Sequence, residues 1–129
     1  MKKAKILHWA LVALFFAPCL AYAAEAVIKG TVAASQTDSS LVTAVTGQRV
    51  CVLQLATMVG ATATDVTFNT KGGGAGTAIT QPFSFGANGG VVLPYSPKPW
   101  FCTTAGEALT MTTGSGSTTG YLLRYSQAP

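Results

Sequence analysis

Three prolines in six residues, Pro94, Pro97 and Pro99, constrain this chain more than any other feature. Proline fixes φ and has no N–H to donate, so neither a helix interior nor a central strand can run through them. The turn signal Asn88-Gly89-Gly90 and a short apolar strand, Val91-Val92-Leu93, precede them. Trp100, Phe101 and Cys102 follow, and Gly106-Glu107 restarts an alternating strand from Ala108 to Thr113. The expectation is a rigid, aromatic-anchored crossing that ties the two sheets of a sandwich together.

The remaining segments read as strands. Ala26 to Val32 is a first strand, interrupted at Gly30, and Leu41 to Val45 is a short β-prone piece. Arg49 to Met58, RVCVLQLATM, is the strongest; Val50, Val52, Gln54, Ala56 and Met58 alternate with Cys51, Leu53, Leu55 and Thr57. Both faces read as largely apolar, which predicts cover on both sides. Asp65 to Thr70 alternates with Val66 and Phe68 on one face. Residues 78–85 form short pieces broken at Pro82, and residues 114–117, Gly-Ser-Gly-Ser, read as a hairpin loop. In the last strand Tyr121, Leu123 and Tyr125 share a face. No helical period is present beyond the N-terminal segment. Seven to nine short antiparallel strands with frequent turns predict an all-β, jelly-roll-like sandwich.

The N-terminus has a separate logic. Lys2, Lys3 and Lys5 precede an apolar run over residues 6–20, and Ala21-Tyr22-Ala23 is a small-x-small cleavage signal. This is the pattern of a secretory signal peptide. The run is about 15 residues, short of the roughly 20 that a spanning helix requires. Residues 1–23 are therefore read as a leader and 24–129 as one domain, exported to the periplasm or medium, with no membrane attachment after cleavage. The leader carries three of the eight basic residues and His8, the only histidine. What remains is Lys29, Arg49, Lys71, Lys98 and Arg124 against Glu25, Asp38, Asp65 and Glu107, a net of +1. That balance offers no electrostatic footprint for nucleic acid.

Few catalytic arrangements survive. Without histidine, Ser-His-Asp and Cys-His sets cannot be built, and two cysteines do not make a zinc site. No cofactor or metal is expected. Asp65 and Glu107 are the carboxylates weighed as a glycosidase-type pair, with simple solvation the plainer reading. The loop Lys71-Gly72-Gly73-Gly74-Ala75-Gly76 lacks the Gly-Lys-Ser/Thr ending and following helix of a phosphate loop. Cys51 and Cys102 are expected to form a disulfide in an oxidising compartment, with two buried thiols as the alternative. Tyr95 and Trp100 are candidate ligand-binding aromatics, although core packing is favoured for Trp100 and Phe101.

The pattern Asn88-Gly89-Gly90, Leu93-Pro94, Pro97, Trp100-Phe101 and Gly106-Glu107-Ala108-Leu109 resembles small virion-associated proteins of tailed phages and prophages. The resemblance implies a jelly roll similar to the tumour-necrosis-factor/C1q type, working as a decoration or fibre-head module without catalytic residues. A homotrimer is expected, with the number three coming from the resemblance alone. The interface is assigned to the row Tyr121, Leu123 and Tyr125, since interface cores are poor in charge and rich in tyrosine. A leader and a cysteine at position 102 depart from that family's usual pattern. The leading expectation is a secreted, non-enzymatic, self-associating module with a virion, cell-surface or glycan partner. The alternative is a carbohydrate-binding module using exposed aromatics.

Overall fold

A computed structural model describes residues 23–129. The leader reading, on residues 1–23, lies outside the described residues except for Ala23.

Ten strands follow in order: β1 (Glu25–Val32), β2 (Ser39–Val42), β3 (Arg49–Val59), β4 (Thr64–Lys71), β5 (Thr77–Ala78), β6 (Phe83–Phe85), β7 (Gly90–Leu93), β8 (Phe101–Cys102), β9 (Ala108–Thr113) and β10 (Thr119–Ala128). They make two antiparallel sheets. One runs β1-β10-β3-β7, with β8 also on β3; the other runs β2-β9-β4-β5, with β6 also on β4. Proline explains the split strands: Pro82 separates β5 from β6, and Pro94, Pro97 and Pro99 separate β7 from β8. With each split pair counted as one strand, eight strands remain, and the first pairs with the last, the second with the seventh, and so inward. That order is a jelly roll.

Two connections differ from the sequence reading. The proline segment does not cross between sheets, because β7 and β8 both pair with β3. The crossing comes next, between β8 and β9, where Gly106 takes φ +78° and donates its N–H to the Gln48 carbonyl at 2.7 Å. The Gly-Ser-Gly-Ser segment is likewise an inter-sheet connection, from β9 to β10, and not a hairpin.

The two-faced appearance of β3 also has a structural cause. Its buried positions are Val50 and Val52, then Leu53, Leu55, Thr57 and Val59, so burial switches from even to odd numbers. The switch coincides with a bulge: Arg124 of β10 pairs Gln54 while Tyr125 pairs Val52, which leaves Leu53 unmatched. Strict alternation assigns Leu53, Leu55 and Thr57 to the wrong face. The outward set is Cys51, Gln54, Ala56 and Met58.

The core gathers Val32, Val42, Val50, Val52, Leu55, Val59, Val66, Phe68, Leu109, Met111 and Leu123 between the sheets. Burying each large apolar side chain contributes roughly 1.5–3 kcal/mol. Phe101 and Phe83 flank the Phe68 ring at centroid distances of 5.4 and 6.4 Å. Phe101 packs as expected. Trp100 does not; it is exposed.

Candidate functional site

The proline-braced loop between β7 and β8 lies along the bulged part of β3. The Ser96 N–H donates to the Leu53 carbonyl and the Trp100 N–H to the Val52 carbonyl, both at 2.9 Å. The carbonyls around the bulge thus hold the loop. Beyond it, Cys51 and Cys102 stand opposite each other on β3 and β8 and form a disulfide. Thr103, buried next to it, donates its N–H to the Val50 carbonyl and accepts the Val50 N–H on Oγ1, each at 2.9 Å.

This anchoring leaves Tyr95 and Trp100 each 47% exposed. Trp100 Nε1 donates to the Pro94 carbonyl at 2.9 Å, which fixes the indole on the surface. Tyr95 donates its hydroxyl to Glu25 at 3.0 Å, and the Arg124 guanidinium lies 5.2 Å from the centroid of its ring. The bond to Glu25 raises the Tyr95 pKa. Arg124 also approaches Glu25 at 3.6 Å. Both candidate aromatics therefore stand on the same sheet in held orientations.

Tyr121, Leu123 and Tyr125, the row assigned to an oligomer interface, face inward. Leu123 is fully buried, and Tyr121 and Tyr125 pack against the core. The alternation in β10 was read correctly and its wet side was not; the other sheet of the same chain covers this row. The outward side of β10 carries Leu122, with Arg124 two residues on.

The outer face of this sheet is apolar over β7, β3 and part of β10, and gives way to charge at β1. Register places Val92, Ala56, Leu122 and Lys29 in one row over β7, β3, β10 and β1. Val92 is 67% exposed and Met58 63%, with Leu122 and Val27 also open. Ala56, Met58, Gly120 and Leu122 line a shallow depression of about 220 Å³. The sequence reading expected a second apolar face on β3 with Ala56 and Met58 on one side, but placed Val50 and Val52 with them because it did not foresee the bulge.

The outer face of the second sheet is different. Asp38 reaches over it with a largely buried side chain. It accepts hydrogen bonds from Asn69 Nδ2 at 2.8 Å, Thr110 Oγ1 at 3.3 Å and the Gly76 N–H at 2.7 Å. Lys71 lies 3.5 Å away. The Gly76 N–H above all, with Asn69 and the Lys71 charge, holds the Asp38 carboxyl below its ordinary value against the opposing effect of burial. The glycine-rich loop thus gives an N–H to a carboxylate of its own chain.

Asp65 and Glu107 are not brought together. Asp65 is the second residue of β4, opposite Ser84, whereas Glu107 precedes Ala108, which pairs Lys71 at the far end of β4. Six residues of strand separate the two ends, roughly 20 Å, beyond any glycosidase spacing. Glu107 accepts the Thr70 hydroxyl at 2.6 Å. Among the described residues no group of three or more His, Cys, Asp or Glu could hold a metal ion.

At one end of the sandwich a cleft of about 430 Å³ opens between residues 63–65, 84–86 and 114–116, with Asp65 on its wall. Gly116 is essential to its shape, because a Cβ there would collide with the Ala63 carbonyl. Three segments distant in sequence form the cleft, so no local pattern announces it. No protein-family model matches the chain, and neither a curated protein nor a solved structure matches it.

Proposed function

We propose that this chain is an exported, non-catalytic interaction module whose copies associate through the β1-β10-β3-β7 sheet. The observation that carries this reading is the apolar outer face of that sheet over β7, β3 and β10, with Met58, Val92 and Leu122 exposed around Ala56. Contiguous apolar surface of this kind marks an interaction site. The contrast with the hydrogen-bonded outer face of the second sheet supports a specific face over general stickiness. The disulfide fits an oxidising compartment. The carboxylates support a structural role: Glu25, Asp38 and Glu107 are each engaged by neighbours of their own chain. A second copy is the occupant because the same sheet ends in β1, an edge whose exposed Glu25 and Lys29 complement themselves in an antiparallel pair. The resemblance to virion decoration proteins points to the same kind of work, a jelly roll presented on a particle or cell surface. Light scattering of the mature protein, with Met58→Asp and Val92→Asp beside it, tests the reading; both variants should fold and lose mass.

Exposure of Trp100 favours glycan binding as a second reading. An indole held by the Pro94 carbonyl and open to solvent can stack on the C–H face of a sugar. A glycan array with Trp100→Ala as the control decides this reading.

A further inference from the structure

Sheet edges offer unpaired N–H and C=O groups, and this fold guards its edges unequally. In the disulfide-bonded sheet, the edge opposite β1 is divided into β7, of four residues, and β8, of two, by the segment holding Pro94, Pro97 and Pro99. The second sheet ends in β2, of four residues, on one side and in β5 and β6, of two and three, on the other. Among the described residues, β1 is the one long edge without a brace: eight residues, paired only to β10.

Along β1 the residues Glu25, Val27, Lys29 and Thr31 are exposed and alternate with Ala26, Ile28 and Gly30, which are half-buried. Val27 is 54% exposed. Glu25 and Lys29 stand two residues to either side of it with opposite charges. Glu25, its side chain 38% exposed, also meets Tyr95 and Arg124 of its own chain, so Lys29 of another copy would join that cluster. Among the described residues, Lys29 makes no ion pair within 4 Å.

We propose that two copies of the chain pair antiparallel through β1, with a twofold axis at Val27, to join their sheets edge to edge. Symmetry and charge select this register. A twofold antiparallel pair that keeps both outer faces on one side must centre on a residue, not between two. Centring on Val27 sets Val27 against Val27 and each Glu25 against Lys29 of the other copy, giving two cross-strand ion pairs. Centring on Ile28 sets Lys29 against Val27. Centring on Lys29 opposes two ammonium groups. A lysine in mid-edge normally discourages pairing; here one register neutralises it, so the same residue excludes the others. The interface is isologous and closed.

This inference rests on the proposed self-association, and the test separates the two. Unmodified mature protein is measured by light scattering, and V27C is oxidised and run on a non-reducing gel beside T31C. Directly opposed strand residues have Cβ atoms about 4.5–5.5 Å apart, within reach of a disulfide after small adjustment. V27C should give a covalent dimer and T31C should not. K29E should weaken association by at least about tenfold, and the double variant E25K/K29E should restore it. A monomeric unmodified protein overturns the self-association reading and this pairing with it. An oligomer in which V27C fails to cross-link, or in which K29E and its double variant behave alike, overturns the β1 pairing alone.

Discussion

Cys51 and Cys102 face each other across the β3–β8 ladder with Cα atoms 4.1 Å apart. Their bond closes a loop of 51 residues that contains β4, β5, β6 and β7. In the chain-entropy treatment that closure is worth about 4 kcal/mol. The double variant Cys51→Ser/Cys102→Ser should lower Tm by roughly 15–30 °C. Thermal melts with and without reductant measure this, and the double variant should be insensitive to the reductant.

Leu123 and Met58 separate core from surface. Leu123 is fully buried between the sheets, so Leu123→Ala should cost about 2–5 kcal/mol in urea unfolding. Met58 is 63% exposed, so Met58→Ser should change the stability of the isolated chain by less than about 0.5 kcal/mol. Its effect should fall on association, read by dilution.

Asp38 gives a dependence on pH. Its folded pKa lies below the ordinary value of 3.8, chiefly because Gly76 donates to it. A depressed carboxyl contributes stability that is complete above the unfolded pKa and is lost as pH falls through the folded value. The window is therefore below about pH 4. Asp38→Asn should flatten the loss of Tm over that range relative to the unmodified protein, while lowering Tm at neutral pH.

Gly116→Ala should destabilise by roughly 1–3 kcal/mol, since its Cβ would enter the space of the Ala63 backbone. Gly73→Ala, with nothing within 4 Å of the added atom, is the control. Urea midpoints compare the two.

Much of the architecture was legible in local pattern. Alternation placed Val66, Phe68, Leu109 and Met111 inside, and proline marked where β5 and β6, and β7 and β8, divide. The disulfide followed from cysteine count. What failed depended on contacts far apart in sequence. The bulge at Leu53 is set by pairing with Arg124 and Tyr125, so alternation alone misassigned the faces of β3. The row Tyr121, Leu123 and Tyr125 was a correct face, but sequence does not say which side of a strand the second sheet covers. Trp100 has the size of a core residue, yet its N–H finds Pro94 on the surface. A second apolar face on β3 was expected from sequence, but the interface was assigned to Tyr121, Leu123 and Tyr125 in place of Ala56, Met58 and Leu122.

Self-association through the β1-β10-β3-β7 sheet is the central claim. Light scattering of the mature protein at micromolar concentration tests it most directly. The predicted mass is at least two chains, falling in folded Met58→Asp and unchanged in Thr67→Asp on the opposite sheet. A stable, folded monomer of the unmodified protein would contradict the claim.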